Sequence, residues 1–274
     1  MSRVLDADGL RYADHWEPVL AAAARRTLDR LDAAPARLLD LGAGTGSLTL
    51  AALRRWPSTH VLAVDASAAM LGVARSRVPK ADAARVTWLP TDAAGLPIED
   101  AAVDAVVCAF VLQLVADRPA VLAEVRRVIR PGGSLSCVTW LADDLVLPAD
   151  AVYHEVMGDL DEDDEDGGFR SSRSGDYLTL QQAHDELADA GFESVKVGPD
   201  ELRFGWTPET YLAFKEGYDD HERLATLDVP RRERLHATLV ERLAALPPRD
   251  FEVRGPLVAA VARKPVDEDQ SRSA

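Results

Sequence analysis

Cysteine is scarce in this sequence: Cys108 and Cys137 are the only two in 274 residues. Both lie in apolar, strand-like runs, which favours reduced core residues over a disulfide. No group of Cys and His residues has the spacing of a zinc or iron–sulfur site, so we expect no bound metal.

Basic residues are also few, with 31 Lys and Arg against 46 Asp and Glu and a net charge of −15. Nucleic-acid binding depends on a basic face, so we expect no nucleic-acid partner. No apolar run reaches the roughly 18 residues of a membrane span, so we expect no membrane association. The first residues, 1–8, lack the charged-then-apolar pattern of an export signal, which predicts a cytoplasmic protein.

What the sequence does contain is an alternation of short apolar runs with amphipathic stretches. This pattern predicts βαβ units, a parallel sheet and helices on both of its faces. Ligands of such sheets bind beyond the carboxyl ends of the strands. The predicted strands of this region are 38–41, 60–64, 86–89, 102–108 and 134–140.

The remainder of the chain predicts a cap around this sheet. Residues 1–35 form an N-terminal helical cap, and residues 36–265 form the main domain with cap insertions near 141–178 and 205–248. Residues 266–274 are expected to be a disordered tail. The acidic run 159–166 is expected to be a solvated loop, with a gate for a cationic substrate as the alternative.

The stretch Leu38–Leu48 contains three alternating glycines between a buried strand and a helix. Glycine permits a positive φ and lets a ligand approach the backbone closely. The helix that follows presents unpaired N–H groups to an anion. A tight strand-to-helix turn without a ligand is the alternative interpretation.

The order of these motifs resembles that of the class I S-adenosylmethionine (SAM)-dependent methyltransferases. The motifs are Asp40-x-Gly42-x-Gly44-x-Gly46, Asp65 after the second strand, Asp92 after the third, and 130–133 before the fifth. The resemblance is closest to the small-molecule branch of quinone and natural-product pathways. It implies an α/β, Rossmann-like, seven-stranded and mostly parallel sheet of order 3-2-1-4-5-7-6, with the last strand antiparallel.

The resemblance also implies a set of cofactor contacts. Asp65 would accept from the ribose hydroxyls and Asp92 from the adenine amino group, although both acids could be simple helix or turn caps. Met70 and Phe110 would enclose the adenine and thioether region. The full set is Asp40, Gly42, Ala43, Gly44, Gly46, Asp65, Ala66, Met70, Asp92, Ala93, Ala109, Phe110 and, from the N-terminal helix, Tyr12.

The implied reaction is in-line methyl transfer to an O, N or C nucleophile of a small molecule. Such transfer depends mainly on alignment, and a general base is needed only when the nucleophile must lose a proton. His154 and His15 are the candidate bases. The segment 108–113 lacks the Asn/Asp-Pro-Pro-aromatic motif of methyltransferases acting on adenine or amide nitrogen. A homodimer is possible.

Two other functions remain open at this point. A dinucleotide-binding oxidoreductase also has glycines after its first strand, but in the spacing G-x-G-x-x-G, whose last glycine corresponds to Ser47 here. A SAM-binding protein without catalytic activity is the second alternative.

Overall fold

The computed structural model describes residues 9–143, 145–158 and 175–266. Seven strands form one sheet in the order β3-β2-β1-β4-β5-β7-β6. The strands are β1 (Arg37–Leu41), β2 (His60–Asp65), β3 (Val86–Pro90), β4 (Val103–Ala109), β5 (Ile129–Trp140), β6 (Glu193–Gly205) and β7 (Glu252–Arg263).

Strands β1 to β5 pair in parallel, and β7 runs antiparallel to both of its neighbours, β5 and β6. At the centre, Leu39 of β1 is in register with Leu62 of β2 and Val106 of β4. The predicted fold class and strand order are therefore confirmed. The order reverses next to β1, which places the end of β1 at the switch point where such sheets bind ligands.

Helices cover both faces of the sheet. Successive residues of a strand point to opposite faces, so each central strand packs against helices on both sides. Leu38 joins one buried apolar cluster and Leu39 joins the other. The helices are α1 (Gly9–Arg11), α2 (Glu17–Asp29), α3 (Ser47–Arg55), α4 (Ala68–Arg77), α5 (Arg118–Val128), α6 (Pro148–Met157), α7 (Leu180–Asp189), α8 (Pro208–Phe214), α9 (His221–Ala225) and α10 (Val229–Ala244).

Two segments of the cap are π-helical, and periodicity did not predict this. Tyr12–Trp16 lies between α1 and α2, and Lys215–Asp219 extends α8, where a single α-helix was expected over 207–218. The two segments pack against each other. π-Helical turns are rare and occur frequently at functional sites.

The segment Arg130–Gly133 was expected to be a turn before the fifth strand, and this prediction was wrong. β5 already begins at Ile129, and its pairing with β4 shifts register between Val103 and Ala105. Between these two pairs β5 has more residues than β4, and a bulge of this kind accommodates residues 130–133 without ending the strand.

Two predictions lie outside the described residues: the acidic run 159–166 and the tail from residue 267 onward. Within the described residues, no helix is long and apolar enough to cross a membrane. The same part of the chain shows no cluster of three or more His, Cys, Asp or Glu side chains suited to a metal ion.

Candidate active site

The glycine loop, Gly42–Gly46, connects the end of β1 to α3. Its three glycines have φ values of 70°, 53° and 89°. A Cβ atom on Gly42 would lie 2.1 Å from Val111, so the loop packs against the segment after β4 at this point. At Gly44, by contrast, the nearest atom to an added Cβ is 4.0 Å away. The backbone of Gly44 is therefore left open to a ligand.

Asp65, at the end of β2, fixes the position of this loop. Its carboxylate accepts the N–H of Gly44 at 2.8 Å and that of Ser67 at 2.9 Å. The bond to Ser67 is a local cap of the kind expected for an acid in a turn. The bond to Gly44 joins the carboxyl ends of β1 and β2 directly.

Asp40 lies beneath the loop and is 1% exposed. Its carboxylate accepts the hydroxyl of Thr49 at 2.6 Å, which connects β1 to α3. Burial raises the pKa of Asp40 to about 7, against the opposing effect of the Thr49 hydrogen bond.

The ends of β3 and β4 complete the same edge of the sheet. Thr91 donates its N–H to the carbonyl of Asp65 at 3.0 Å. The next residue, Asp92, is exposed and accepts the N–H of Ala94 at 2.8 Å. Phe110, directly after β4, has a φ of 57°, an uncommon conformation for a bulky residue. Strained backbone of this kind occurs preferentially at binding sites.

These elements surround a narrow cavity of about 50 Å³. The cavity brings together these predicted residues: Tyr12, Asp40, Gly42, Ala43, Gly44, Ala109 and Phe110. The predicted residues that do not line it are Gly46, Asp65, Ala66, Met70, Asp92 and Ala93. Of these, Asp65 remains linked to the cavity through its hydrogen bond to Gly44.

Among the lining residues that sequence reasoning missed are Glu17 and Thr45, and it also missed Arg77, which binds both of them. The Glu17 carboxylate accepts from both terminal nitrogens of Arg77, at 2.6 and 2.8 Å, and from the hydroxyl of Thr45. Glu17 is 9% exposed, an unusual degree of burial for an acid. In the sequence, the only indication of a role for Glu17 was its position directly after Trp16, which is four residues from Tyr12 and so shares a helix face with it.

Aromatic rings join the N-terminal segment to the cap beside the cavity. The rings of Trp16 and Tyr218 are nearly parallel with centroids 6.4 Å apart, and Tyr12 meets Tyr218 edge-on at 6.3 Å. His15 packs against Gly217, where an added Cβ would lie 2.5 Å from Nε2. The second candidate base, His154, lies on α6 beside Tyr153.

A buried ion pair lies deeper in the cap. Lys215 is 3% exposed, and its Nζ lies 3.1 Å from Asp150 and 2.7 Å from Asp219. The hydroxyl of Tyr211 also donates to Asp150. Burial alone would lower the pKa of Lys215, but the carboxylates of Asp219 and Asp150 more than offset burial and raise it.

Comparison with known proteins agrees with this geometry. The family described as a methyltransferase domain matches residues 38–133, which run from β1 into the start of β5. The chain contains a class I methyltransferase domain. Enzymes of this class use SAM as the methyl donor. The matched region of the chain contains every predicted cofactor residue except Tyr12, and neither candidate histidine.

Curated relatives share this region. The chain is 39% identical over 140 residues to a malonyl-[acyl-carrier protein] O-methyltransferase of Xylella fastidiosa, covering 47% of this chain and 45% of the relative. It is 43% identical over 112 residues to a demethylmenaquinone methyltransferase of Thermus thermophilus, covering 40% of this chain and 50% of the relative. The chain thus spans about half the length of the curated relatives it matches.

The solved structure of a phosphoethanolamine N-methyltransferase 2 from Haemonchus contortus is similar over most of the chain. The TM-score is 0.55 at 20% sequence identity, and the likeness covers 95% of this chain and 57% of the other. At this level of identity the comparison shows that the two chains share a fold.

Proposed function

We propose that this chain catalyses the transfer of a methyl group from SAM to an O, N or C nucleophile of a small molecule by in-line displacement. The observation that carries the proposal is the hydrogen bond between the N–H of Gly44 and the carboxylate of Asp65, at the carboxyl ends of β1 and β2. It connects an open glycine backbone to a carboxylate at the point where class I methyltransferases hold their cofactor.

The residues present fit this cofactor. The space in front of Gly44, which a Cβ would enter, accommodates a close approach of the ligand to the backbone. The loop amides precede α3, whose N-terminus favours the carboxylate of an amino acid. The carboxylate of Asp65 suits two vicinal hydroxyls, each bond contributing on the order of 1.5–3 kcal/mol.

When bound, SAM supplies an activated methyl group on a sulfonium. The chain contributes orientation and exclusion of water, which account for much of the barrier reduction in such displacements. On the cap side, Tyr12 lines the cavity and packs against the ring of Tyr218. We assign His15 as the candidate base in preference to His154, because His15 lies on the same segment as the cavity residue Tyr12.

Charge and relatives support a small-molecule acceptor. A net charge of −15 opposes binding of a nucleic acid. The two relatives described above are named for a malonyl thioester and for a quinone precursor. We propose acceptors of these two chemical kinds, a carboxylate and a reduced quinone ring, and a cytoplasmic enzyme that can form a homodimer.

Calorimetric titration with SAM and with NAD⁺ tests the cofactor, and transfer of a labelled methyl group to a panel of quinols, phenols, amines and acyl thioesters tests the reaction. We expect micromolar SAM binding, no NAD⁺ binding and turnover on at least one acceptor. Binding of NAD⁺ alone would support an oxidoreductase. Binding of SAM with no transfer across the panel would support a SAM-binding protein without catalysis.

A further inference from the structure

We propose that Glu17 and Arg77 form a latch that holds the N-terminal segment, residues 9–16, closed over the cofactor cavity and thereby limits the rate of SAM exchange. The inference rests on the proposed SAM binding. It assigns to two charged side chains a positioning role that is separate from contact with the reacting atoms.

The latch joins α2 and the glycine loop, which both line the cavity, to the end of α4. Glu17 is the first residue of α2, Arg77 is the last residue of α4, and Thr45 belongs to the glycine loop. Besides its two bonds to Glu17, Arg77 donates to the carbonyl of Thr45 at 2.7 Å. The side chains of Glu17 and Arg77 are 11% and 33% exposed. A bidentate, charge-assisted pair with this little exposure is stronger than an ordinary surface ion pair.

The remainder of α2 is held independently of the latch. Arg26 binds the carboxylate of Asp200 on β6 through two nitrogens at 2.8 and 2.9 Å. Apolar residues of α2 also enter the core: Val19, Leu20, Ala23, Ala24 and Leu28. Loss of the Glu17–Arg77 pair would therefore leave α2 itself in place.

The segment before Glu17 is anchored much less firmly. Within residues 9–16 only Gly9 is buried, and the π-helical turn contains no buried residue. Its contacts include rings at the cap, the packing of His15 against Gly217 and the packing of Gly9 against Met70. Segments with few buried contacts open at the lowest free energy, so residues 9–16 are the part of this wall that opens first.

Opening of this wall has a kinetic consequence. Tyr12 of this segment lines the cavity, so the segment obstructs ligand entry as well as exit. A weaker latch raises the population of the open state and accelerates both association and dissociation of SAM. The dissociation constant then changes little. Loss of a direct ligand contact would instead raise the dissociation rate and the dissociation constant together.

Stopped-flow tryptophan fluorescence measures both rates, with SAM for association and displacement by excess S-adenosylhomocysteine for dissociation. For Glu17→Gln we expect both rates to rise about five- to tenfold while the dissociation constant stays within about threefold of the original value. Arg77→Gln should behave alike, and the double variant should add nothing to either single change.

The matched control is Asp29→Asn, which removes an exposed ion pair between the same helix and Arg55 of α3. We expect both rates to be unchanged in this variant. Unaltered rates in Glu17→Gln, or a higher dissociation constant with an unchanged association rate, would overturn the latch.

Hydrogen exchange in the ligand-free protein separates this inference from the proposed function. We expect Glu17→Gln, but not Asp29→Asn, to accelerate amide exchange in residues 9–16 about five- to tenfold. If the unaltered protein fails to bind SAM, the proposed function is wrong, and the exchange result still decides whether the latch exists. Equal exchange in the two variants would refute it.

Discussion

The carboxylate of Asp65 accepts the backbone N–H of Gly44 at a distance of 2.8 Å. The acid expected to bind the ribose thus also positions the glycine loop expected to lie beneath the methionine part of SAM. Cofactor affinity and loop geometry are coupled through one side chain. A substitution at Asp65 should therefore affect both ends of the cofactor.

We expect Asp65→Ala to weaken SAM binding at least tenfold without unfolding the protein, and Asp65→Asn to do nearly the same. The asparagine keeps an acceptor oxygen for only one of the two amides, Gly44 or Ser67, and loses the charge that strengthens bonds to the ribose. Calorimetry gives the affinity and thermal unfolding checks the fold. Asp100→Asn removes the same charge at an exposed site and serves as the control. An unchanged dissociation constant in Asp65→Asn would contradict the assignment.

Gly44→Ala should abolish detectable SAM binding while the protein remains folded. The added Cβ meets no protein atom closer than 4.0 Å, so it enters the space assigned to the ligand. The positive φ of 53° adds a strain of about 1 kcal/mol. Gly72→Ala is the matched control, because it lies within α4 with open space around it and should stabilise the helix by roughly 0.5–1 kcal/mol. Full SAM affinity in Gly44→Ala would show that the ligand lies elsewhere.

Asp40 should make the stability of the fold depend on pH. Because its pKa is raised to about 7 in the folded state, the folded protein retains a proton that the unfolded chain releases near pH 4. Stability therefore falls as the pH rises from about 4 to 7 and is level above that range.

Asp40→Asn should remove this dependence, since the amide keeps an acceptor for Thr49 and does not titrate. The stability gained by Asp40→Asn relative to the unaltered protein should grow by roughly 2–3 kcal/mol between pH 5 and pH 8. Urea unfolding at the two pH values measures the difference, and any constant effect of the amide cancels. A gain that is the same at both pH values would show that Asp40 does not titrate in this range.

The sheet was predictable because its signal is local. The apolar runs of β1, β2 and β4 are short, continuous and bounded by turn residues, as buried parallel strands are. The glycine spacing and the acids after β2 and β3 likewise lie within single loops. These features need no knowledge of which distant residues meet.

The latch and the buried ion pair were not predictable in this way. Glu17 and Arg77 are 60 positions apart, and each resembles an ordinary charged residue on an amphipathic helix. Lys215 lies in a stretch that reads as a continuous helix, where a lysine is normally solvated. Lys215 can be buried because it begins a π-helical turn and because the carboxylate of Asp150, on α6, lies beside its ammonium group.

Lys215→Met should destabilise the protein by about 3–5 kcal/mol. The substitution preserves the volume of the side chain but leaves the buried carboxylate of Asp150 without its cation. Adding Asp150→Asn should recover part of the loss, because the uncompensated charge is then removed. Arg203→Ala breaks an exposed pair with Glu201 and should change stability by less than about 0.5 kcal/mol. If denaturant unfolding gave Lys215→Met and Arg203→Ala equal stability, this would contradict a buried ion pair between Lys215 and Asp150.

His15→Ala should lower the turnover number about a hundredfold if His15 removes a proton from the acceptor. An imidazole base is inactive when protonated, so the rate of the unaltered enzyme should fall toward acid pH and this fall should be absent from the variant. His154→Ala is the matched control, because His154 lies on α6, whereas His15 lies on the π-helical segment of the cavity residue Tyr12. We expect it to retain both the rate and the pH profile. If neither substitution alters turnover, the reaction proceeds by alignment alone or through a different base.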